Sequence, residues 1–144
     1  MYISSPDGKR CSHNVPASAY ASKYWLLTEG CTSPGYDEWV LVMNPNRNDT
    51  HVKLTFMTTQ GQVAGPTALV PANGRVSLHV NDYVSGDVAT LVTGDYYVVA
   101  ERSMYISPPS GKSGATCSLG VVKSTLGGSS GAGADPDQKP LPRF

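Results

Sequence analysis

Two glutamates, Glu29 and Glu101, have the side chains of greatest chemical interest, because a pair of carboxylates can act as the acid and base of a glycosidase. Arg102 directly follows Glu101, and successive side chains in a strand point to opposite faces, so one of these charges points inward and needs a partner. Arg75 and Glu29 are the natural partners, and a nearby arginine keeps a carboxylate ionised and unfit to donate a proton. We therefore predict that the four residues form a structural ion network that fixes strand register.

The other side chains that could support catalysis or bind a metal share no spacing. The histidines are His13, His51 and His79. They occur in a loop and on predicted strand faces, and no Gly-x-Ser-x-Gly nucleophile elbow accompanies them. The aspartates nearest to predicted turns are Asp82, Asp87 and Asp95, and they form no compact calcium loop. The sequence therefore predicts no enzymatic activity, no metal and no cofactor.

Three cysteines leave the redox setting open. None lies in a CxxC pair, which disfavours a metal or redox site. In a secreted protein two of the three would pair. Cys11 and Cys117 occupy equivalent places in a repeated segment, so either could bond to Cys31. Three unpaired thiols are the alternative.

Alternation of apolar and polar residues predicts the strands that position these groups. Val52, Leu54 and Phe56 alternate with Lys53 and Thr55, which is the period of a half-buried strand. Similar runs recur along the chain between short turns, and no window has helical periodicity. We therefore predict an all-β fold, an immunoglobulin-like antiparallel β-sandwich of about seven strands.

The last two predicted strands form a hairpin. Val88–Val92 is the sixth strand and Tyr96–Ile106 is the seventh and longest, with Gly94-Asp95 as the hairpin-type turn between them. Trp39 lies among alternating residues of an earlier strand, and we expect it in the core.

A repeated segment indicates a tandem arrangement. Met1-Tyr2-Ile3-Ser4 recurs as Met104-Tyr105-Ile106-Ser107, and 103 residues separate the two copies, which is about the length of one small β-sandwich. One complete unit would then follow the end of a preceding unit. Both copies are candidate assembly segments, because an extended arm can add as a strand to the edge of another copy. The residues concerned are Met1, Tyr2, Ile3, Met104, Tyr105 and Ile106.

These patterns divide the chain into four parts. We expect an N-terminal arm, or the end of a preceding repeat, at 1–21; the β-sandwich at 22–107; an extended segment that resembles the arm at 108–126; and a disordered tail at 127–144. The tail is rich in Gly, Ser and Pro, a composition typical of flexible linkers.

Charge and hydropathy exclude two classes of partner. Eleven basic and eleven acidic side chains give a net charge of zero, and no basic stripe is present that would bind nucleic acid. No apolar stretch approaches the roughly 20 residues that span a bilayer, so we expect no membrane insertion. The N-terminus lacks the pattern of an export signal.

Several phrases occur in an order that resembles a known family. They are Tyr24-Trp25, Gly35-Tyr36-Asp37-Glu38-Trp39, Asn44-Pro45, Val70-Pro71-Ala72, and Val99-Ala100-Glu101-Arg102 with Met104-Tyr105. Together, over about residues 22 to 107, they resemble a repeat domain of large bacterial surface or secreted proteins. That family is itself of unknown function and is expected to be immunoglobulin-like. The resemblance implies an extracellular or cell-surface location and a multi-copy setting, without a known ligand.

We therefore predict a non-enzymatic extracellular structural module that assembles through its terminal segments into fibres or arrays. Its partners would be copies of itself or adjacent repeats. The alternative is a module for adhesion to carbohydrate or protein, in which Trp25, Trp39 or exposed tyrosines stack on a surface glycan. We expect no nucleic-acid partner.

Overall fold

A computed structural model describes residues 2–4, 10–12, 14–107, 113–122 and 138–141, with only the backbone described for the first two ranges. The first six strands in these ranges are β1 (Tyr2–Ser4), β2 (Arg10–Ser12), β3 (Tyr20–Leu27), β4 (Tyr36–Met43), β5 (Thr50–Thr58) and β6 (Gly61–Val70). The remaining strands are β7 (Arg75–His79), β8 (Val88–Ile106), β9 (Gly114–Leu119), β10 (Val121–Val122) and β11 (Gln138–Pro140). A short 3-10 helix, Val80–Asp82, follows β7. The described part contains no helix long and apolar enough to cross a membrane.

The strands form two antiparallel layers that share β8. The first layer has the order β6-β5-β8-β3, with β10 and β11 on the far side of β3. The second layer has the order β7-β4-β8-β9. Val88–Gly94 of β8 pairs in the first layer, and Val99–Ile106 pairs in the second. The all-β antiparallel sandwich predicted from the alternation of residues is confirmed.

The middle of β8 differs from the predicted hairpin. β8 is instead one continuous strand that runs antiparallel to β3 on both sides of Gly94-Asp95, so these two residues belong to a bulge and close no hairpin. Beyond the bulge, β8 passes from the first layer into the second. Opposite β3 the register passes from Tyr24–Thr93 to Ser22–Val98, which leaves four residues of β8 as a bulge. A Cβ on Gly94 would lie 2.6 Å from the carbonyl oxygen of Tyr96, so a glycine is needed at this bend.

The core lies between the layers and is built by residues that alternate along each strand. Val52, Leu54 and Phe56 of β5 are buried against Val40 and Val42 of β4. The indole of Trp25 is 1% exposed, and its Nε1 donates to the carbonyl oxygen of Val98 at 2.7 Å. Trp25 therefore packs in the core and cannot serve as a stacking platform for a glycan.

Part of the predicted tail is ordered. Gln138–Pro140 forms β11 on the edge of β3, and the backbone N–H of Leu141 donates to the carbonyl oxygen of Ala19 at 3.2 Å. An edge strand offers unpaired backbone groups, which explains why a short polar segment can bind there. The rest of the predicted tail lies outside the described residues, except Leu141.

Candidate assembly and binding sites

The buried arginine of the predicted ion network is Arg102. It is 2% exposed, and its Nη1 donates to the backbone carbonyl oxygen of Glu29 at 2.8 Å. Among the described residues the carboxylate of Glu29 forms no ion pair with Arg102, and Glu29 is exposed to solvent. The prediction that one charge of the Glu101-Arg102 pair points inward is confirmed for Arg102. The partner of Arg102 is the main chain of Glu29, however, and not its side chain.

The other two members of the predicted network lie on the opposite face of the sheet. Arg75 and Glu101 line a shallow outer pocket with Met43 and Val99, and Nη2 of Arg75 is 3.5 Å from the Ser77 hydroxyl. Within the described ranges, no ion pair joins any two of the four network residues. The prediction of an ion network is therefore wrong, because strand alternation separates Glu101 from Arg102.

The inward carboxylate is Glu38, which sequence reasoning did not select. It is 1% exposed and fills space left by Gly30, whose Cβ would lie 2.3 Å from Glu38 Oε2. Burial raises the pKa of Glu38 to about 7, although a hydrogen bond from the Cys31 backbone and the charge of Arg102 favour the ionised form. The signal was present in the sequence, because Glu38 keeps the inward period of Val40 and Val42.

Glu38 and Arg102 define what we call the closed end of the sandwich. Glu38 Oε2 and Arg102 Nε have no hydrogen-bond partner in the described part of the chain. A cleft of about 630 Å³ lies at this end, and its walls include Glu29, Gly30 and Met104. Because both charges are sealed beneath this cleft, they can hold the strands together but cannot reach a substrate.

A second polar cluster lies on the outer face of β4 and β7. The ring of Trp39 stacks on His79 with centroids 4.6 Å apart, and Trp39 Nε1 donates to Asp37 Oδ1 at 3.0 Å. Asp37 Oδ1 also lies 2.7 Å from His79 Nε2, and Asp82 Oδ1 lies 2.8 Å from His79 Nδ1. Trp39 was expected in the core, but it is half-buried on this face because Glu38 and Val40 take the inward positions.

The carboxylates around His79 determine what it can do. Burial by itself would lower the pKa of His79, but hydrogen bonds to Asp82 and Asp37 and the attraction of their charges raise it. The protonated ring can donate from both nitrogens, one to each carboxylate. Since both nitrogens are occupied, His79 has no free nitrogen with which to act as a general base.

The other end of the sandwich contains what we call the end cleft, a cavity of about 540 Å³. Its lining residues are Ala21, Pro45, Asn46, Arg47, Asn48, Asn73, Tyr96, Tyr97, Lys139 and Pro140. They come from the β4–β5 loop, the β6–β7 turn, the bulge of β8, and β3 and β11. Several loops of a β-sandwich thus converge at this end, as binding loops commonly do.

Buried amides hold the end cleft in shape. Asn44 is fully buried, and its Nδ2 donates to the carbonyl oxygens of Asn48, Val70 and Pro71 at 2.9 to 3.1 Å. Nδ2 of Asn46 donates to the carbonyl oxygen of Tyr97 at 2.7 Å, which ties the β4–β5 loop to the bulge of β8. The walls of the cleft are therefore fixed before any ligand arrives.

The candidate assembly segments lie in two hairpins with the same register. In the hairpin β1–β2, Ile3 pairs with Cys11, eight residues later, and in β8–β9 Ile106 pairs with Gly114, again eight residues later. The two copies of the tetrapeptide thus occupy equivalent positions. The cysteines do not occupy equivalent positions, because Cys11 pairs with Ile3 whereas Cys117 pairs with Ser103. Met1 and the side chains of Tyr2 and Ile3 lie outside the described residues.

The second copy of the tetrapeptide cannot itself add to another chain. Met104, Tyr105 and Ile106 pair with β4 on one side and with β9 on the other, and Met104 is buried. Both edges of the backbone are in use, so no groups remain for strand addition. The prediction that this copy is an assembly segment is wrong for that reason.

The first hairpin lies beside β9, where a linker covers the outer face of the second layer. β2 runs close to β9, and the linker residues 15–18 enclose a cavity of about 400 Å³ with Val99, Glu101 and Leu119 among its other walls. Hairpin and linker therefore follow the outside of β8 and β9 before the chain enters β3.

The cysteines fall at separate positions around this architecture. The thiol of Cys31 is free and half-buried, and the backbone of this residue forms an isolated antiparallel β-bridge with Asp87. The predicted pairings of Cys31 with Cys11 or Cys117 are therefore absent from the structure. Burial, with the nearby charge of Glu101, raises the pKa of Cys117.

Comparison with known proteins supports the fold and identifies no family. No family model and no curated protein matches the chain. The chain is similar to the solved structure of Thermotoga maritima 1070, with 12% identity and a TM-score of 0.64 over 72% of this chain and 96% of that one. It is also similar to the Anabaena sensory rhodopsin transducer, with 22% identity and a TM-score of 0.51 over 56% of this chain and 94% of that one. At such identities the likeness concerns the fold alone.

Proposed function

We propose that this protein is a non-enzymatic structural module of an extracellular, multi-unit bacterial protein, and that the hairpin β1–β2 forms the joint between units. The observation that carries the proposal is the equal register of β1–β2 and β8–β9 around the repeated tetrapeptide. The extracellular setting rests on the resemblance of residues 22 to 107 to repeats of surface and secreted proteins.

The position of the hairpin supports a joint of fixed geometry. In a tandem array, the hairpin that closes one unit would be followed by a short linker and by β3 of the next unit. In this chain β2 lies beside β9, and residues 15–18 rest on the outer face of the second layer. Consecutive units would thus meet along β9 rather than hang on a flexible tether.

The same contact offers a route to self-assembly. Among the described strands, β9 pairs with β8 alone, so its other edge faces β2 without a ladder between them. A hairpin held there by packing can exchange with the hairpin of another copy, which is the usual route to domain-swapped assemblies. Head-to-tail exchange of this kind extends into a fibre or closes into a ring.

The candidate catalytic groups favour a structural role. Glu29 and Glu101 line different cavities, so they do not face one another across a common substrate site. His79 has a carboxylate on each ring nitrogen. Glu38 and Arg102 are sealed inside the sandwich.

Removal of the hairpin tests the proposal. We expect the full chain to elute as concentration-dependent assemblies in gel filtration and to form fibres or rings in negative-stain images. Deletion of residues 1–12 should give a folded monomer, because the exchanged element is gone. Deletion of residues 142–144, which follow β11 and Leu141 at the opposite terminus, should leave assembly intact. Equal assembly with and without residues 1–12 would refute the role of the hairpin.

A further inference from the structure

We propose that the end cleft binds an acidic saccharide, a sugar chain whose rings bear carboxylates. This inference is independent of the proposed assembly, because none of the residues that line the cleft belongs to β1, β2 or β9. It rests on the charge, the aromatic surface and the unused hydrogen-bonding groups of the cleft.

The charge of the cleft favours an anion. Arg47 and Lys139 line it, and no acidic side chain is among its described lining residues. The two nearest carboxylates along the chain have other partners. Asp49 accepts a hydrogen bond from the backbone N–H of Ala72 at 2.9 Å, and Asp95 lies 3.6 Å from His51. In the described part of the chain no carboxylate pairs with Arg47, and an arginine fork in that state is suited to bind a carboxylate of a ligand.

An exposed tyrosine supplies a surface for a sugar ring. Tyr96 is 49% exposed, and its backbone N–H donates to the Thr50 hydroxyl at 3.1 Å, which fixes the base of the side chain. The neighbouring ring of Tyr97 has the ammonium groups of Lys23 and Lys139 5.9 and 5.8 Å from its centroid. These cation–π contacts place positive charge beside the ring of Tyr97, which lines the cleft together with Tyr96.

Two amides remain available for sugar hydroxyls. Asn48 and Asn73 are exposed, and their side chains have no hydrogen-bond partner within the described part of the chain. Asn73 holds a left-handed backbone, with φ of 52°, and its N–H donates to the carbonyl oxygen of Asn46 at 3.0 Å. The side-chain amides of Asn44 and Asn46 donate to backbone carbonyl oxygens around the cleft. The side chains of Asn48 and Asn73 are not needed for that purpose and are available to bind a ligand.

The size of the cleft suits a short saccharide. Its volume of about 540 Å³ lies inside the range of roughly 300–1,000 Å³ that is usual for small-ligand sites. Aromatic surface, amides and a cation together match the ring face, the hydroxyls and the carboxylate of a hexuronate.

Isothermal titration with trigalacturonate and with maltotriose, its neutral counterpart in length, tests the inference on the full chain. We expect saturable binding of trigalacturonate that weakens as salt is raised, and binding of maltotriose that is at least about tenfold weaker. Arg47→Gln should weaken trigalacturonate binding about tenfold or more, because a charge-assisted hydrogen bond is lost. Lys53→Gln makes the same change of charge at an exposed site outside the cleft and should leave binding unchanged.

A second pair of variants separates stacking from hydrogen bonding. Tyr96→Ala should abolish binding, whereas Tyr96→Phe keeps the ring and should retain most of it. Circular dichroism and thermal unfolding of each variant establish that it is folded. Equal affinity for the acidic and neutral sugars, equal effects of Arg47→Gln and Lys53→Gln, or no binding of trigalacturonate up to about 10 mM would each overturn the inference.

Discussion

The two ends of the sandwich use their polar side chains in opposite ways. At the closed end, Glu38 and Arg102 are withdrawn from water, and one atom of each has no hydrogen-bond partner in the described part of the chain. At the end cleft, Asn44 and Asn46 satisfy the backbone, and Arg47 and Tyr96 remain exposed. Polar groups at the closed end therefore act on the protein itself, whereas those at the end cleft are available to another molecule.

This difference predicts that substitutions at the two ends differ in what they change. A substitution at the closed end should alter the free energy of unfolding, because a buried charge without its counterpart is costly. A substitution at the exposed rim of the end cleft should alter binding and leave stability nearly unchanged. The following variants compare the two ends, beginning with the largest expected effect.

Removal of the buried cation should have the largest effect. Arg102→Met removes the hydrogen bond to the carbonyl oxygen of Glu29 and, above the pKa of Glu38, the positive neighbour of its carboxylate. At pH 8 we therefore expect a loss of roughly 3–5 kcal/mol in the free energy of unfolding by urea denaturation. Arg47→Met, the same change at the end cleft, should cost less than about 0.5 kcal/mol. The double variant Glu38→Leu/Arg102→Met should recover most of the loss. Equal effects of the two single variants would contradict the distinction between the ends.

The pH dependence of stability should expose the buried carboxyl group. Burial raises the pKa of Glu38 from its ordinary value of 4.5 to about 7 in the folded protein, so the folded state holds a proton that the unfolded state has released. This contribution is complete below pH 4.5 and is lost as pH rises through 7; a shift of this size corresponds to roughly 3 kcal/mol.

Urea denaturation from pH 4 to pH 8 measures this loss. Glu38→Gln removes the titrating group, so its stability should fall less over that range than that of the natural protein. His79, whose pKa is also raised, contributes in the same direction but equally in both proteins. Parallel pH profiles of the two proteins would show that Glu38 does not titrate as described.

The contact between Gly30 and Glu38 should give a smaller effect. Gly30→Ala places a Cβ 2.3 Å from a carboxylate oxygen, and we expect a cost of about 1–3 kcal/mol in thermal or chemical unfolding. Gly114→Ala is the matched control, because its Cβ would meet only side-chain atoms of Ile106 at 3.9 Å. A Gly30→Ala protein as stable as Gly114→Ala would mean that Glu38 moves aside without cost.

Alternation in the sequence predicts the strands well but predicts their partners poorly. The period of Val52, Leu54 and Phe56 correctly gives the buried face of β5, because one side of that strand packs on the core. The same period places Arg102 inward and would have placed Glu38 there too. It says nothing about which strand lies alongside, so the predicted ion network joined Arg102, which points inward, with Arg75 and Glu101 on the outer face.

Two features depend on tertiary geometry that local patterns do not contain. Gly94-Asp95 is suitable for a turn in any case, but only the pairing of the flanking residues determines whether it closes a hairpin or belongs to a bulge within one strand. The end cleft likewise brings together Arg47, Asn73 and Tyr96 from three separate loops. By contrast, the repeated tetrapeptide did mark two segments that turn out to be structurally equivalent, although the sequence did not predict that each would form a hairpin with the same register.

The molar mass of the full chain, followed by light scattering as its concentration rises, tests the role of the β1–β2 hairpin most directly. We predict that the mass grows with concentration and that a chain without residues 1–12 stays at the mass of a monomer throughout. A full chain that remains monomeric over the same range, or a truncated chain that grows equally, would contradict the assignment of this hairpin as the joint between units.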